Sequence, residues 1–123
     1  MKSATRGFLP DFSRYLRSEY PLDVAYQNRD LIAKLCKMLG CLPIIKNPAQ
    51  DMQTQGLCKK LEKFKPCDKK ERSFISKCNF QEGQIYYAAY GNNAYKIVFG
   101  IDSNERKAYF FALDTNHSIR KSK

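Results

Sequence analysis

The chain has 123 residues, 43% of them apolar and 28% charged, and a formal net charge of +10. That balance suits one folded domain with its own core and excludes a disordered polar tail. No apolar run is long enough to span a bilayer, and the opening Met1–Phe8 lacks the greasy stretch of a secretory signal, so a cytoplasmic protein without membrane contact is expected.

Leu9, Phe12 and Leu16 recur at helical spacing, with Pro10 and Asp11 suited to a first turn, and predict a helix. Pro21 separates a second segment, whose apolar stripe Val24, Leu31, Leu35, Met38 and Leu39 predicts a helix stopped by Gly40 and Pro43. Leu57, Leu61 and Phe64 fall at i, i+4 and i+7 and predict a third helix, ended by Pro66. After Arg72 the period changes from 3.6 to 2. Phe74, Cys78 and Phe80 read as one strand face, followed by strands at Ile85–Tyr90, Tyr95–Ile101 and Lys107–Leu113. Gly91-Asn92-Asn93 and Asp102-Ser103-Asn104 are turn chemistry, because glycine and asparagine tolerate positive φ.

The expected architecture is therefore α+β, a single domain over residues 1–123 with N-terminal helices packed on one face of a C-terminal antiparallel meander. The register at residues 91–93 stays open. A two-residue loop there puts Tyr86, Ala88 and Tyr90 on the face of Tyr95, Ile97 and Phe99. A three-residue loop frees Tyr86 and Tyr90 to stand beside Lys96 as an exposed aromatic and cationic face.

Charge is unevenly spread. Residues 59–77 carry Lys59, Lys60, Lys63, Lys65, Lys69, Lys70, Arg72 and Lys77 against Glu62, Asp68 and Glu71. Arg120, Lys121 and Lys123 close the chain against Asp114. A field of this sign favours an anionic partner, nucleic acid or an acidic protein segment. Five irregularly spaced cysteines (Cys36, Cys41, Cys58, Cys67 and Cys78) and a single histidine do not form a zinc-binding set, so no metal is expected; the cysteines read as small buried hydrophobes with a few exposed thiols.

Two stretches carry a family resemblance. The opening "RGFLPDFSRYLRSEYP" resembles the short first strand and first helix of RelE/ParE-superfamily toxins, which often read F-x-P-x-F-x-x-x-L. "YKIVFGIDSNERKAYFFALDTNHSIRK" resembles their two closing strands. The resemblance implies a β-α-α-meander fold and, in many members, metal-independent cleavage of ribosome-bound mRNA without any cofactor. In that reading the 2′-hydroxyl of one nucleotide attacks its own 3′-phosphate, and a cognate acidic antitoxin protein silences the toxin. By the same match, His117 occupies the place of a histidine just beyond the last strand. Lys96 stands where an arginine or lysine of the third strand usually lies.

Such transesterification needs a base, an acid and cations around the phosphorane. Imidazole, with an ordinary pKa of about 6.5, suits either proton role, worth about 10²–10⁴-fold. The expected catalytic set is His117, Arg120 and Lys96, the last two holding phosphate charge. Tyr86 and Tyr90 are expected to stack splayed bases, and Lys77, Arg72 and Lys121 to bind the RNA backbone. The family's frequent arginine near the end of the second meander strand is absent: Ala88-Ala89-Tyr90 stands there. That departure keeps two alternatives open, a ParE-like toxin that poisons a protein such as gyrase, and a basic RNA-binding module without catalysis.

Overall fold

The computed structural model describes residues 7–47, 50–52, 60–64, 66, 69–90 and 95–115. Leu57, Cys58, Cys67, the turn at residues 91–93, His117, Arg120 and Lys121 lie outside them. The strands are β1 (Leu9–Asp11), β2 (Lys60–Lys63), β3 (Ile85–Tyr90), β4 (Tyr95–Asp102) and β5 (Lys107–Asp114). The helices include α1 (Leu22–Tyr26), α2 (Arg29–Cys41) and α3 (Lys69–Cys78). The strands make one sheet in the order β1-β5-β4-β3-β2. From β2 to β5 neighbours run antiparallel, and β1 lies parallel to β5 at the far edge.

The mixed α and β class agrees with the sequence reading, but the layering corrects it. Helices cover both faces of the sheet, not one. On one side Ala88, Ile97, Phe99, Ile101, Ala108, Phe110 and Leu113 pack with Leu31, Leu35 and Met38 of α2. On the other, Ile85, Tyr87, Ala89, Val98, Tyr109, Phe111 and Ala112 pack with Phe74 and Cys78 of α3. The central strands say why: Ile97 to Ile101 and Ala108 to Leu113 are buried without a break. A strand that is apolar at consecutive positions must hide both its faces.

A bulge adjusts this alternation. Val98 pairs with Ala112 and Phe99 with Phe110, so Phe111 is an extra residue in β5. Phe111 and Ala112 consequently both serve the α3 side, whereas strict alternation would separate them. The bulged carbonyl is not wasted, because Phe111 O accepts a hydrogen bond from Leu16 N at 3.0 Å.

Three expected elements are replaced. Residues 9–16 form β1 and turns instead of a helix. Leu9 N donates to Arg106 O at 2.9 Å, and Pro10, lacking an N–H, is tolerated on an edge strand. The Asp11 carboxylate then accepts from Ser13 N at 2.8 Å, making a side-chain turn that competes with a helical one. The Ser13 hydroxyl and its backbone N–H, both donating to the Asp11 carboxylate, with Lys107 Nζ 3.4 Å away, hold the Asp11 pKa below its ordinary value. The expected helix at 57–64 is, in its described part, strand β2, paired from Lys60↔Ala89 to Lys63↔Tyr86. Its charged composition suits a sheet edge. The expected strand at Phe74–Phe80 is α3: Glu71, Phe74 and Cys78 are buried, the i, i+3, i+7 stripe of a helix.

Helix α2 fits its sequence pattern more closely. The Asn28 side chain caps it by accepting from Leu31 N at 3.0 Å. Leu31, Leu35 and Met38 form its buried stripe. The helix runs through Gly40 and stops at Cys41, where Leu42–Ile44 turn with Pro43 in a tighter helical turn. Phe8 N donates to Leu42 O at 2.7 Å, fastening β1 to the end of α2.

Candidate nucleic-acid interface

The exit of β5 is held from beneath by the segment between β1 and α1. Phe12 stacks on Phe110 with centroids 5.0 Å apart. Tyr15 Oη accepts from Leu113 N at 3.1 Å. Burial, helped by the charges of Tyr20 and Asp114, pushes the Tyr15 phenol up to about 12, so it stays neutral and serves as a fixed hydrogen-bonding post. The end of β5 is thus positioned by a phenol and by the bulge at Phe111.

Beyond that end lies an open hollow of about 530 Å³, lined by Val24, Gln27, Asn28, Arg29, Tyr95 and Thr115. It draws on three separate parts of the chain: the α1–α2 junction, the first residue of β4 and the residue after β5. Arg29 and Gln27 are exposed, while Asn28, Tyr95 and Thr115 are half-buried. The lining offers a guanidinium, two amides, a hydroxyl and an aromatic ring. This is the chemistry that grips a phosphate and a splayed base. In sequence, His117 stands two residues past Thr115.

Of the residues expected to act together, Tyr86 and Lys96, both described, stand apart. Tyr90 closes β3 in register with Tyr95, and Tyr86 pairs with Phe99. That register puts Tyr86 on the face of Tyr95, Ile97 and Phe99, opposite to Lys96, so no combined face of Tyr86 and Lys96 forms. Tyr86 is half-buried on the α2 side, stacked near Phe99 at 6.1 Å, which uses its ring for packing. Lys96 is only 3% exposed. It is a buried charge and does not line the open hollow at the exit of β5. Asp114 lies directly across from Lys96 and is 1% exposed; Glu71 of α3 is 3% exposed. All three face the α3 side of the sheet and are the buried charged residues among those described. The sequence reading missed Asp114 and Glu71 as members of this group, although opposite charges at the ends of adjacent strands were a usable signal.

Arg72 and Lys77 are exposed on α3, across the sheet from the α2 layer. Lys77 Nζ lies 3.0 Å from Glu19 Oε2. Among the described residues, Cys36, Cys41 and Cys78 are free thiols. No cluster of three or more histidine, cysteine or acidic residues there could hold a metal, and no helix is long and apolar enough to cross a membrane. Comparison with known protein families, characterised proteins and solved structures returns no match.

Proposed function

We propose that this protein is an endoribonuclease of the toxin type that cleaves single-stranded RNA without a metal, through the 2′-hydroxyl. The observation that carries the reading is the hollow at the exit of β5, where Arg29, Tyr95 and Thr115 converge on the start of the segment bearing His117. Two further features support it: the excess of positive charge, and a chain order of β1, α1, α2 and a closing meander with β1 parallel to β5. That order accords with the RelE/ParE resemblance; α3 between β2 and β3 is an addition to it. Arg29 and Arg120 would hold the phosphate, Tyr95 would stack a base, and His117 would move the proton. An acidic antitoxin protein would be the natural silencer of such a surface.

The test is incubation of the purified protein with single-stranded RNA in excess chelator. Products ending in 2′,3′-cyclic phosphate, lost in His117→Ala, are expected. Undiminished cleavage by His117→Ala rejects the assignment. The burial of Lys96 and the lack of an arginine at Ala88-Ala89 favour a second reading, an RNA-binding module without catalysis. It predicts binding that weakens steeply with salt and no product at all.

A further inference from the structure

Helix α3 has an outer face of unusual uniformity. Its exposed residues are Lys69, Lys70, Arg72, Ser73, Ser76 and Lys77, and its one acid, Glu71, is turned into the core at 3% exposure. Lys77 is engaged by Glu19. No carboxylate among the described residues pairs with Lys69, Lys70 or Arg72. The helix therefore presents three cations without a carboxylate partner among the described residues, flanked by hydroxyls and with no exposed aromatic or aliphatic side chain of its own; along one side Lys70, Ser73 and Lys77 border a hollow shared with Leu16, Glu19, Tyr20 and Phe74.

What such a face can hold follows from what it lacks. A protein partner needs anchors, and protein interfaces are rich in aromatics and methionine and poor in lysine. A single RNA strand is gripped largely by stacking bases on rings, and α3 offers none. A duplex hides its bases and displays two rows of phosphates, which are met by Lys, Arg, Ser and backbone donors without reading sequence. Burying Glu71 removes the one group on the helix that would repel them.

We propose that the outer face of α3 is a docking surface for the phosphate backbone of double-stranded RNA, distinct from the hollow at the exit of β5 and independent of sequence. The choice of RNA over DNA rests on the ribonuclease reading above. The two surfaces lie on opposite layers of the sheet, so the protein would hold a structured RNA through α3 while the other layer engages a single strand.

The experiment uses full-length protein carrying His117→Ala, so that no probe is cut, and measures fluorescence anisotropy with a blunt RNA duplex, the matching single strand and the DNA duplex. The parent is expected to bind the RNA duplex best. The triple variant Lys69→Gln, Lys70→Gln, Arg72→Gln should bind it on the order of a hundredfold more weakly near 0.1 M salt, with the slope of log K against log salt reduced by about 2–3. Its far-ultraviolet circular dichroism should be unchanged, since glutamine has nearly the helix propensity of lysine. Ser73→Asp with Ser76→Asp, which leaves every cation in place, should weaken duplex binding as well. Equal duplex binding by parent and triple variant overturns the proposal. So does a parent that prefers the single strand or the DNA duplex. The parent with His117 intact should cut single-stranded RNA. Absence of cleavage with duplex binding intact strikes the ribonuclease reading alone.

Discussion

Replacing Lys96 by methionine separates a structural charge from a catalytic one. Methionine keeps most of the length and the apolar stem of the side chain and removes only the ammonium. Lys96 is 3% exposed, directly across the β4–β5 ladder from Asp114 at 1%, with Glu71 at 3% on the helix covering that face. Cross-strand neighbours of this kind have Cβ atoms roughly 5 Å apart. Taking the cation away removes a buried charge that has partners of its own, a loss worth about 3–5 kcal/mol when one partner of a buried ionic group is deleted. With a urea dependence of about 2 kcal/mol per molar for a domain of this size, the unfolding midpoint should fall by roughly 2 M. Adding Asp114→Asn to Lys96→Met should restore part of the loss, with a coupling of at least about 1 kcal/mol. Equilibrium urea unfolding followed by tyrosine fluorescence measures both. A midpoint shift below about 0.5 M, accompanied by loss of RNA cleavage per folded molecule, would refute the structural assignment and return Lys96 to the chemistry.

Two glycines give opposite outcomes. A Cβ at Gly7, where φ is +156°, would sit 1.8 Å from Pro43 O, so Gly7→Ala should cost about 3 kcal/mol and loosen β1 from the end of α2. Gly40 lies inside α2 with nothing within 4 Å of an added Cβ, so Gly40→Ala should stabilise by about 1 kcal/mol; thermal unfolding of the pair checks both signs. Burial pushes the Cys78 thiol up to about 12, whereas Cys36 is exposed. At pH 8 an alkylating reagent should modify Cys36 within minutes and spare Cys78 until denaturant is added, as mass mapping of the peptides would reveal.

The meander was legible because Tyr95, Ile97, Phe99 and Ile101 alternate and Asp102-Ser103-Asn104 can turn; β3, β4 and β5 follow that reading closely. The second helical layer was not. Phe74 and Cys78 lie at i, i+4, but Phe80, two residues further, lends a false period of two; the helix ends at Cys78 and Phe80 packs separately against Tyr109 and Phe111. The seven charged and hydroxyl residues of 69–78 were the better guide. The bulge at Phe111 leaves no mark in composition, yet it decides which face each residue of β5 serves. The separation of Tyr86 from Lys96 depends on a register that the residues alone left open. In the sequence, His117 stood out as the sole imidazole, but Arg29, Asn28 and Tyr95 of the candidate site did not. They come together only because the α1–α2 junction lies beside the start of β4 and the residue after β5, an adjacency between distant segments that no local pattern encodes.

The most direct measurement is photo-crosslinking of a 4-thiouridine-labelled single-stranded RNA to the intact protein, followed by peptide mapping. Crosslinks in the peptides that carry Arg29, Tyr95 and the segment beyond Thr115 are expected, and Tyr95→Ala should remove most of them. Crosslinks confined to the β1 edge around Leu9 and Ile44, with none at Arg29 or Tyr95, would contradict the placement of the RNA at the exit of β5.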